Sequence, residues 1–264
     1  MGVGVKPHWG AALPGFLGAP HPSAAIAWSL LAVLLLLVAT PLHAACENFP
    51  VALDIGHSLA RPGATSARGR PEFAFNRDLV IRLADALADS GLPAVLVNAE
   101  GADLGLAERG QRAAAEGAAV LLSVHHDSVQ PRYLAAWTPE GIPRHHSEHA
   151  RGFSLFVSRE NPHPDASERL ARLLGEHLGT AGFTPSLHHA EPIPGEGRTL
   201  LDAAGGVYRF DGLGVLRHAP MPAVLLEAGV IVHREEEQQL RDPEYQVRMA
   251  GAIVAALLEY CGAL

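Results

Sequence analysis

A single α/β domain, built on a twisted and mostly parallel sheet with helices on both faces, is the fold the sequence predicts. Three observations carry it. From about Pro50 onward, short apolar runs alternate with segments of helical period. Three of the runs, Val51–Ile55, Ala119–Val124 and Pro222–Glu227, are nearly uninterrupted, which suits strands covered on both sides. Each also delivers a histidine or carboxylate at its C-terminal end, where open α/β sheets keep their chemistry. These are His57 after the first, His125 and His126 after the second, and Glu227 closing the third.

Val51–Ile55 (VALDI) is strand one, and the turn at Gly56 presents His57. Ser58–Arg70 is a polar, basic loop rich in Gly, Pro and Ser. In Glu72–Ser90, Phe75, Leu79, Leu83 and Leu87 recur at helical spacing, and Gly91 marks the stop. Pro93–Val97 is strand two, Leu104–Gly117 a short Ala-rich helix, and Ala119–Val124 the central strand. Asp127–Arg151 has no period and holds Pro131, Pro139 and Pro143 with His145, His146 and His149; a loop of that length is usually functional or mobile. Gly152–Ser158 alternates as a strand, and Asp165–Gly182 is a helix with Leu170, Leu173, Leu174 and Leu178 on one face. Thr184–Gly206 is a second irregular stretch. Val215–His218 is short and apolar and leads into Pro222–Glu227, the last core strand. A charged turn begins at Glu235–Glu237, and Pro243–Tyr260 is a closing helix. Neither repeats nor a second domain are expected.

The 264 residues carry a formal charge of −8 and no basic stripe, which argues against a nucleic-acid partner. The 15 histidines must include surface residues, so their number alone does not argue for metal. Ala24–Thr40 is apolar and uncharged and is followed by small residues, the pattern of a secretory signal cleaved after Ala44 or Ala45. Residues 1–45 are therefore expected to be a signal peptide, with an uncleaved membrane anchor as the competing reading, and 46–264 the working domain. The segment before the apolar run is long and has only Lys6 as a firm positive charge, so the start in use is expected downstream of Met1. The two cysteines, Cys46 and Cys261, stand at opposite ends of the mature chain. In an exported protein they are candidates for a disulfide; a lipid on Cys46 is the alternative.

Two strand-end histidines plus a carboxylate such as Glu72 would make the ligand set of a catalytic zinc with one position open. Each residue alone has an ordinary explanation. His57 could be a loop histidine bonded to a carbonyl. Glu72 at a helix start is favoured by the helix dipole. His125 and His126 are neighbours on a strand and point opposite ways, so they do not easily share one metal. Glu227 is more telling, because a carboxylate after an apolar run is seldom buried without a partner.

Taken in order, these stretches resemble the zinc-dependent N-acetylmuramoyl-L-alanine amidases of the amidase-3 family. The resemblance runs from Val51 to about Tyr260. The family's Asp-Pro-Gly-His-Gly-Gly is similar to Asp54-Ile55-Gly56-His57-Ser58-Leu59. Its ligand glutamate with a following Asn resembles Glu72 and Asn76, and its Arg before the third strand resembles Arg109. Its Ser-Ile-His-Ala-Asn is similar to Ser123-Val124-His125-His126-Asp127, which selects His125 over His126. Its closing motif resembles Val215-Leu216-Arg217 followed by Pro222–Val230. The resemblance implies zinc on His57, Glu72 and His125, with Glu227 as general base in hydrolysis of the amide between muramic acid and the first alanine of peptidoglycan. His126, Asp127, Asn76 and Arg217 would stand behind the ligands or along the substrate, with His126 and Asp127 as a hydrogen-bonded pair. It further implies an exported, periplasmic or envelope-located enzyme, a monomer, with room for a protein activator. A zinc peptidase or carboxypeptidase acting on stem peptides is the alternative within enzymes, and a metal-free wall-binding module the alternative outside them.

The departures, Ile55, Ser58, Leu59, His126 and Asp127, remove no ligand and alter the rim. Regulated members of the family carry a blocking insert where this chain has Leu187–Tyr208. Glu191, Glu196 and Leu200-Leu201 there could seat such a lid; a plain substrate-binding loop is the other reading.

Overall fold

The computed structural model describes Met1, Gly2 and residues 46–264, so the expected signal peptide and its cleavage site lie outside the described residues. Among the described residues, no helix is long and apolar enough to cross a membrane. The chain runs β1 (Val51–Ile55), α1 (Glu72–Asp89), β2 (Ala94–Val97), α2 (Leu106–Ala115), β3 (Val120–Asp127), β4 (Ala135–Trp137) and β5 (Arg144–His146). It continues through β6 (Ser154–Val157), α3 (Pro164–Thr180), β7 (Thr199–Asp202), β8 (Val207–Arg209), α4 (Gly214–Arg217), β9 (Ala223–Val230), α5 (Glu236–Leu240) and α6 (Pro243–Gly262).

Seven strands form one sheet in the order β2-β1-β3-β9-β6-β8-β7. The four from β2 to β9 are parallel; β6 runs antiparallel to β9, and β7 antiparallel to β8. Alternate residues of the central strands enter two cores. Val51, Leu53, Ile55, Val120, Leu122 and Val124 pack under α1, α3 and α6, which contribute Leu83, Leu174 and Ile253. Ala52, Leu121, Ala223 and Leu225 pack with Val215 and Leu216 of α4 on the other side. Both faces are covered, which is why these strands read as continuous apolar runs. Cys46 and Cys261 are joined by a disulfide with their Cα atoms 5.9 Å apart.

The structure corrects the sequence reading in three places. The central strands run longer, β3 to Asp127 and β9 to Val230. The aperiodic stretches hold a two-stranded ribbon, β4–β5, and the sheet-edge strand β7, which pairs with β8 just beyond it; each of these strands has three or four residues. Segments that short show no period; pairing with distant partners makes them strands. The charged turn at Glu235–Glu237 is mostly buried. Glu237 is fully buried and accepts from Ser66 Oγ at 2.6 Å and Arg68 Nη1 at 2.6 Å, which fixes the loop between β1 and α1. Glu236 accepts the N–H groups of Gly152 at 2.8 Å and Val230 at 3.0 Å.

Burial pushes the Glu236 carboxyl up from 4.5 to about 7 against the pull of those two donors. The folded state then holds a proton that the unfolded chain releases, so this group's contribution to stability falls as pH rises from 4.5 to 7 and is level above that. Denaturant unfolding at pH 5 and pH 8 should show the native protein losing about 2.5 kcal/mol more than Glu236→Gln across that interval. Equal losses would show that Glu236 titrates as an exposed carboxylate does.

Candidate metal centre

The parallel register brings the chemistry of β1, β3 and β9 to one edge. Asp54 lies opposite Ser123 and His125 opposite Glu227, so all four fall on the same face of the sheet. The β3–β9 register slips between His125 and Asp127, a bulge that re-aims the strand ends. His126 points to the opposite face, where its ring meets Phe75 of α1 at 5.5 Å.

A buried ion pair sets the start of the site. Arg109 donates to Asp54 Oδ1 and to Ile55 O, each at 2.7 Å, and to His57 O at 2.6 Å. Ser123 Oγ donates to the other Asp54 oxygen at 2.7 Å. His57 has φ 68°, a left-handed conformation that costs a non-glycine residue of order 1 kcal/mol. Its carbonyl is held there by Arg109 and by Asn98 Nδ2 at 2.8 Å. Arg109 and Asn98 thus aim the imidazole without touching it.

Glu72 lies between two imidazoles. Its Oε2 is 2.9 Å from His57 Nε2 and its Oε1 is 3.1 Å from His125 Nδ1. The rings stand 4.9 Å apart at 72°. The carboxylate also accepts from Ala64 N at 3.0 Å, and from His126 N and Asn76 Nδ2 at 3.3 Å each. Burial pushes the Glu72 carboxyl up, but hydrogen bonds and charge from His125 and His57 outweigh it and hold it well below the usual carboxylate range. His57, Glu72 and His125 each offer one ligand atom within 4.8 Å of the others. A tetrahedral ion with bonds of 2.0–2.1 Å needs ligand atoms ~3.3 Å apart. The two carboxylate–imidazole spacings, made by different Glu72 oxygens at 2.9 and 3.1 Å, lie within about half an ångström of that value, and two imidazoles with a carboxylate suit zinc.

His126 is separate from this group. Burial pushes its ring down to about 3, so it is neutral, and its Nδ1 donates to Asn76 Oδ1 at 2.8 Å. Asn76 Nδ2 donates in turn to Gly56 O at 3.1 Å. The expected His126–Asp127 pair is therefore not formed: the two side chains leave β3 on opposite faces, and Asp127 meets His189 instead, at 2.8 Å. Arg217 pairs with Glu160 at 3.4 Å, both exposed, and is not brought to the ligand group.

Two glycines make room for the ligands. A Cβ on Gly56 would lie 2.4 Å from the His125 ring. A Cβ on Gly63, whose φ is +78°, would lie 2.3 Å from Glu72 Oε2 and 2.6 Å from the His57 ring. Gly63→Ala should therefore weaken metal binding tenfold or more, the scale seen when support behind ligands is disturbed. Competition against a chelator would measure it, and native affinity in that variant would show that the loop yields without moving Glu72.

Glu227 is partly buried, and its Oε2 is buried without a hydrogen-bond partner. Burial, then the charges of Asp127 and Glu72, push its carboxyl well above the usual range. It faces a cavity of about 160 Å³ with Phe156, His189, Glu196, Arg198 and Phe210. His57 and His125 border a separate cleft of about 320 Å³ with Asp54, Arg61 and Leu106. Neither glutamate of the 187–208 segment joins the ligand group. Glu191 accepts from Tyr133 Oη at 2.9 Å and lies 2.6 Å from His149 Nε2. Glu196 is held by Gln130 Nε2 at 2.8 Å and lies 3.0 Å from His189 Nδ1.

Sequence reasoning missed Asn98, Gly63, His188 and His189. An Asn at a strand end tolerates the left-handed region, and Asn98 at φ 69° uses it, so a signal was present. The work of the other three depends on contacts across the fold.

Comparison with known proteins agrees with this geometry. The family model described as N-acetylmuramoyl-L-alanine amidase (Amidase_3) matches residues 51–259. A putative N-acetylmuramoyl-L-alanine amidase of Buchnera aphidicola is 23% identical over 225 residues, covering 79% of this chain and 94% of that protein. The probable amidase AmiB of Haemophilus influenzae is 25% identical over 242 residues, covering 80% of this chain but 51% of its own length. The catalytic domain of the amidase CwlV from Bacillus (Paenibacillus) polymyxa var. colistinus superimposes with a TM-score of 0.60 at 26% identity, covering 80% of this chain and 97% of that one.

Proposed function

The chain belongs to the N-acetylmuramoyl-L-alanine amidase family, and from that premise we propose that it is a zinc-dependent hydrolase of the bond between muramic acid and L-alanine in peptidoglycan. The observation that carries the zinc reading is the Glu72 carboxylate set between His57 and His125 at 2.9 and 3.1 Å. These three residues would hold the ion. When bound, it would polarise the scissile carbonyl and acidify a water.

The chain's own residues would do the rest. Arg109 and Asn98 keep His57 turned toward Glu72. Glu227, opposite His125 and with a free buried oxygen, takes the proton from the attacking water and returns it to the leaving amine. A carboxyl raised by burial suits both transfers near neutral pH. The Glu72 charge is one of those that raise it, and ligation would offset that part. The cleft bordered by His57, His125 and Arg61 would receive the substrate. In this reading residues 1–45 export the protein and 46–264 are the catalytic domain in the envelope, closed by the Cys46–Cys261 bond.

Digestion of purified peptidoglycan with mass analysis of the products tests the proposal. Intact stem peptides starting at alanine, and sugar strands free of alanine, are expected. Alanine left on the sugar would identify a peptidase instead.

A further inference from the structure

A second group of metal-type side chains stands at the end of β3, outside the residues given a part in the reaction. Asp127 closes the strand, and a single 3-10 turn, His188–Ala190, passes beside it. Asp127, His188 and His189 each offer one ligand atom, all within 4.8 Å of one another. Asp127 Oδ2 is 3.3 Å from His188 Nε2 and 2.8 Å from His189 Nε2. His188 is 7% exposed, and its Nε2 is buried with no hydrogen-bond partner. A buried polar atom left unpaired typically costs about 1–3 kcal/mol.

The outward atoms of all three groups are already engaged. His188 Nδ1 lies 2.8 Å from Ser186 Oγ, and His189 Nδ1 lies 3.0 Å from Glu196 Oε2. Asp127 Oδ1 accepts from Ser128 N at 2.7 Å, and Gln130 Nε2 holds the other Glu196 oxygen at 2.8 Å. An imidazole whose Nδ1–H donates outward turns the Nε2 lone pair inward, the usual way a ligating histidine is set. Two such lone pairs and a carboxylate oxygen facing one another repel unless a cation lies between them. The His188–Asp127 spacing already matches the ~3.3 Å between ligands of a tetrahedral ion, and His189 would need to withdraw by about half an ångström to match it.

We infer that Asp127, His188 and His189 form a second site for a divalent transition ion of the zinc class, separate from His57, Glu72 and His125. Two nitrogen donors favour such an ion over magnesium or calcium, which take oxygen ligands. The ion ties the turn at His188–Ala190 to the end of β3, and through His189 it sets one wall of the cavity that Glu227 faces. A metal-free alternative, His189 as an imidazolium between Asp127 and Glu196, leaves His188 Nε2 unpartnered.

Zinc titration of the metal-free full chain in detergent, with bound metal counted after buffer exchange, tests the site. Two equivalents are expected in the native protein and one in His188→Ala. Asp127→Asn, which keeps side-chain shape, should also bind one. His57→Ala retains only the second set, so with cobalt(II) it should still show tetrahedral visible absorption bands. Native saturation at one equivalent, unchanged in His188→Ala and Asp127→Asn, overturns the inference. One equivalent that survives in His57→Ala but not in Asp127→Asn upholds this site and overturns the first, so the two proposals fail separately.

Discussion

Glu227→Gln should lose peptidoglycan hydrolysis by roughly 10²–10⁴-fold, the usual scale for a general base, while the fold and metal content stay native. The two side chains have the same shape, and Gln replaces a partly buried acid whose buried Oε2 bonds to nothing, so no native hydrogen bond is lost. Burial and the neighbouring charges of Asp127 and Glu72 already work against an ionised carboxylate here. The neutral amide should therefore hold or raise the melting temperature. A rate lost together with stability would point to a structural role, and a native rate would remove Glu227 from the reaction. Loss of metal would make Glu227 a ligand.

The parts of this protein that could be read in advance are those whose signal is local. VALDI, VLLSVHHD and AVLLEAGV are apolar because helices cover both faces of the strands, and burial of that kind appears in any short window. The strand ends then placed His57, His125 and Glu227 at one edge. The pleat puts His125 and His126 on opposite faces of β3, and the register then sets His125, not His126, beside Glu227. What stayed hidden depends on partners far away in the chain. Glu237 looked like part of a charged turn, yet it is fully buried because Ser66 and Arg68 meet it across 171 and 169 residues. The strands β7 and β8 exist through pairing with each other and with β6. His188 and His189 carried no local signal; the fold sets them against Asp127. Arg217 matched a family motif by spacing, but its guanidinium pairs with Glu160.

Glu72→Ala should abolish hydrolysis and lose the metal equivalent held with His57 and His125. The loss should be steeper than the 10–100-fold in affinity that follows when support behind a ligand is removed. Glu72 accounts for more of the site than either histidine. It contacts both imidazoles and accepts three further donors, Ala64 N, His126 N and Asn76 Nδ2. Removing it withdraws the only carboxylate of the set and frees both rings at once. His57→Ala and His125→Ala should each lose the same equivalent. His126→Ala provides the contrast. It leaves Asn76 Oδ1 without its buried donor and opens space beside Phe75, so it should lower stability by about 1–3 kcal/mol while metal and activity persist. Metal analysis and unfolding on the four variants separate these effects. If His126→Ala loses metal as fully as His125→Ala, then β3 presents the other histidine and the register of the site is wrong. If Glu72→Ala keeps its metal, the ion is held elsewhere, and the carboxylate between the imidazoles is only an ion pair.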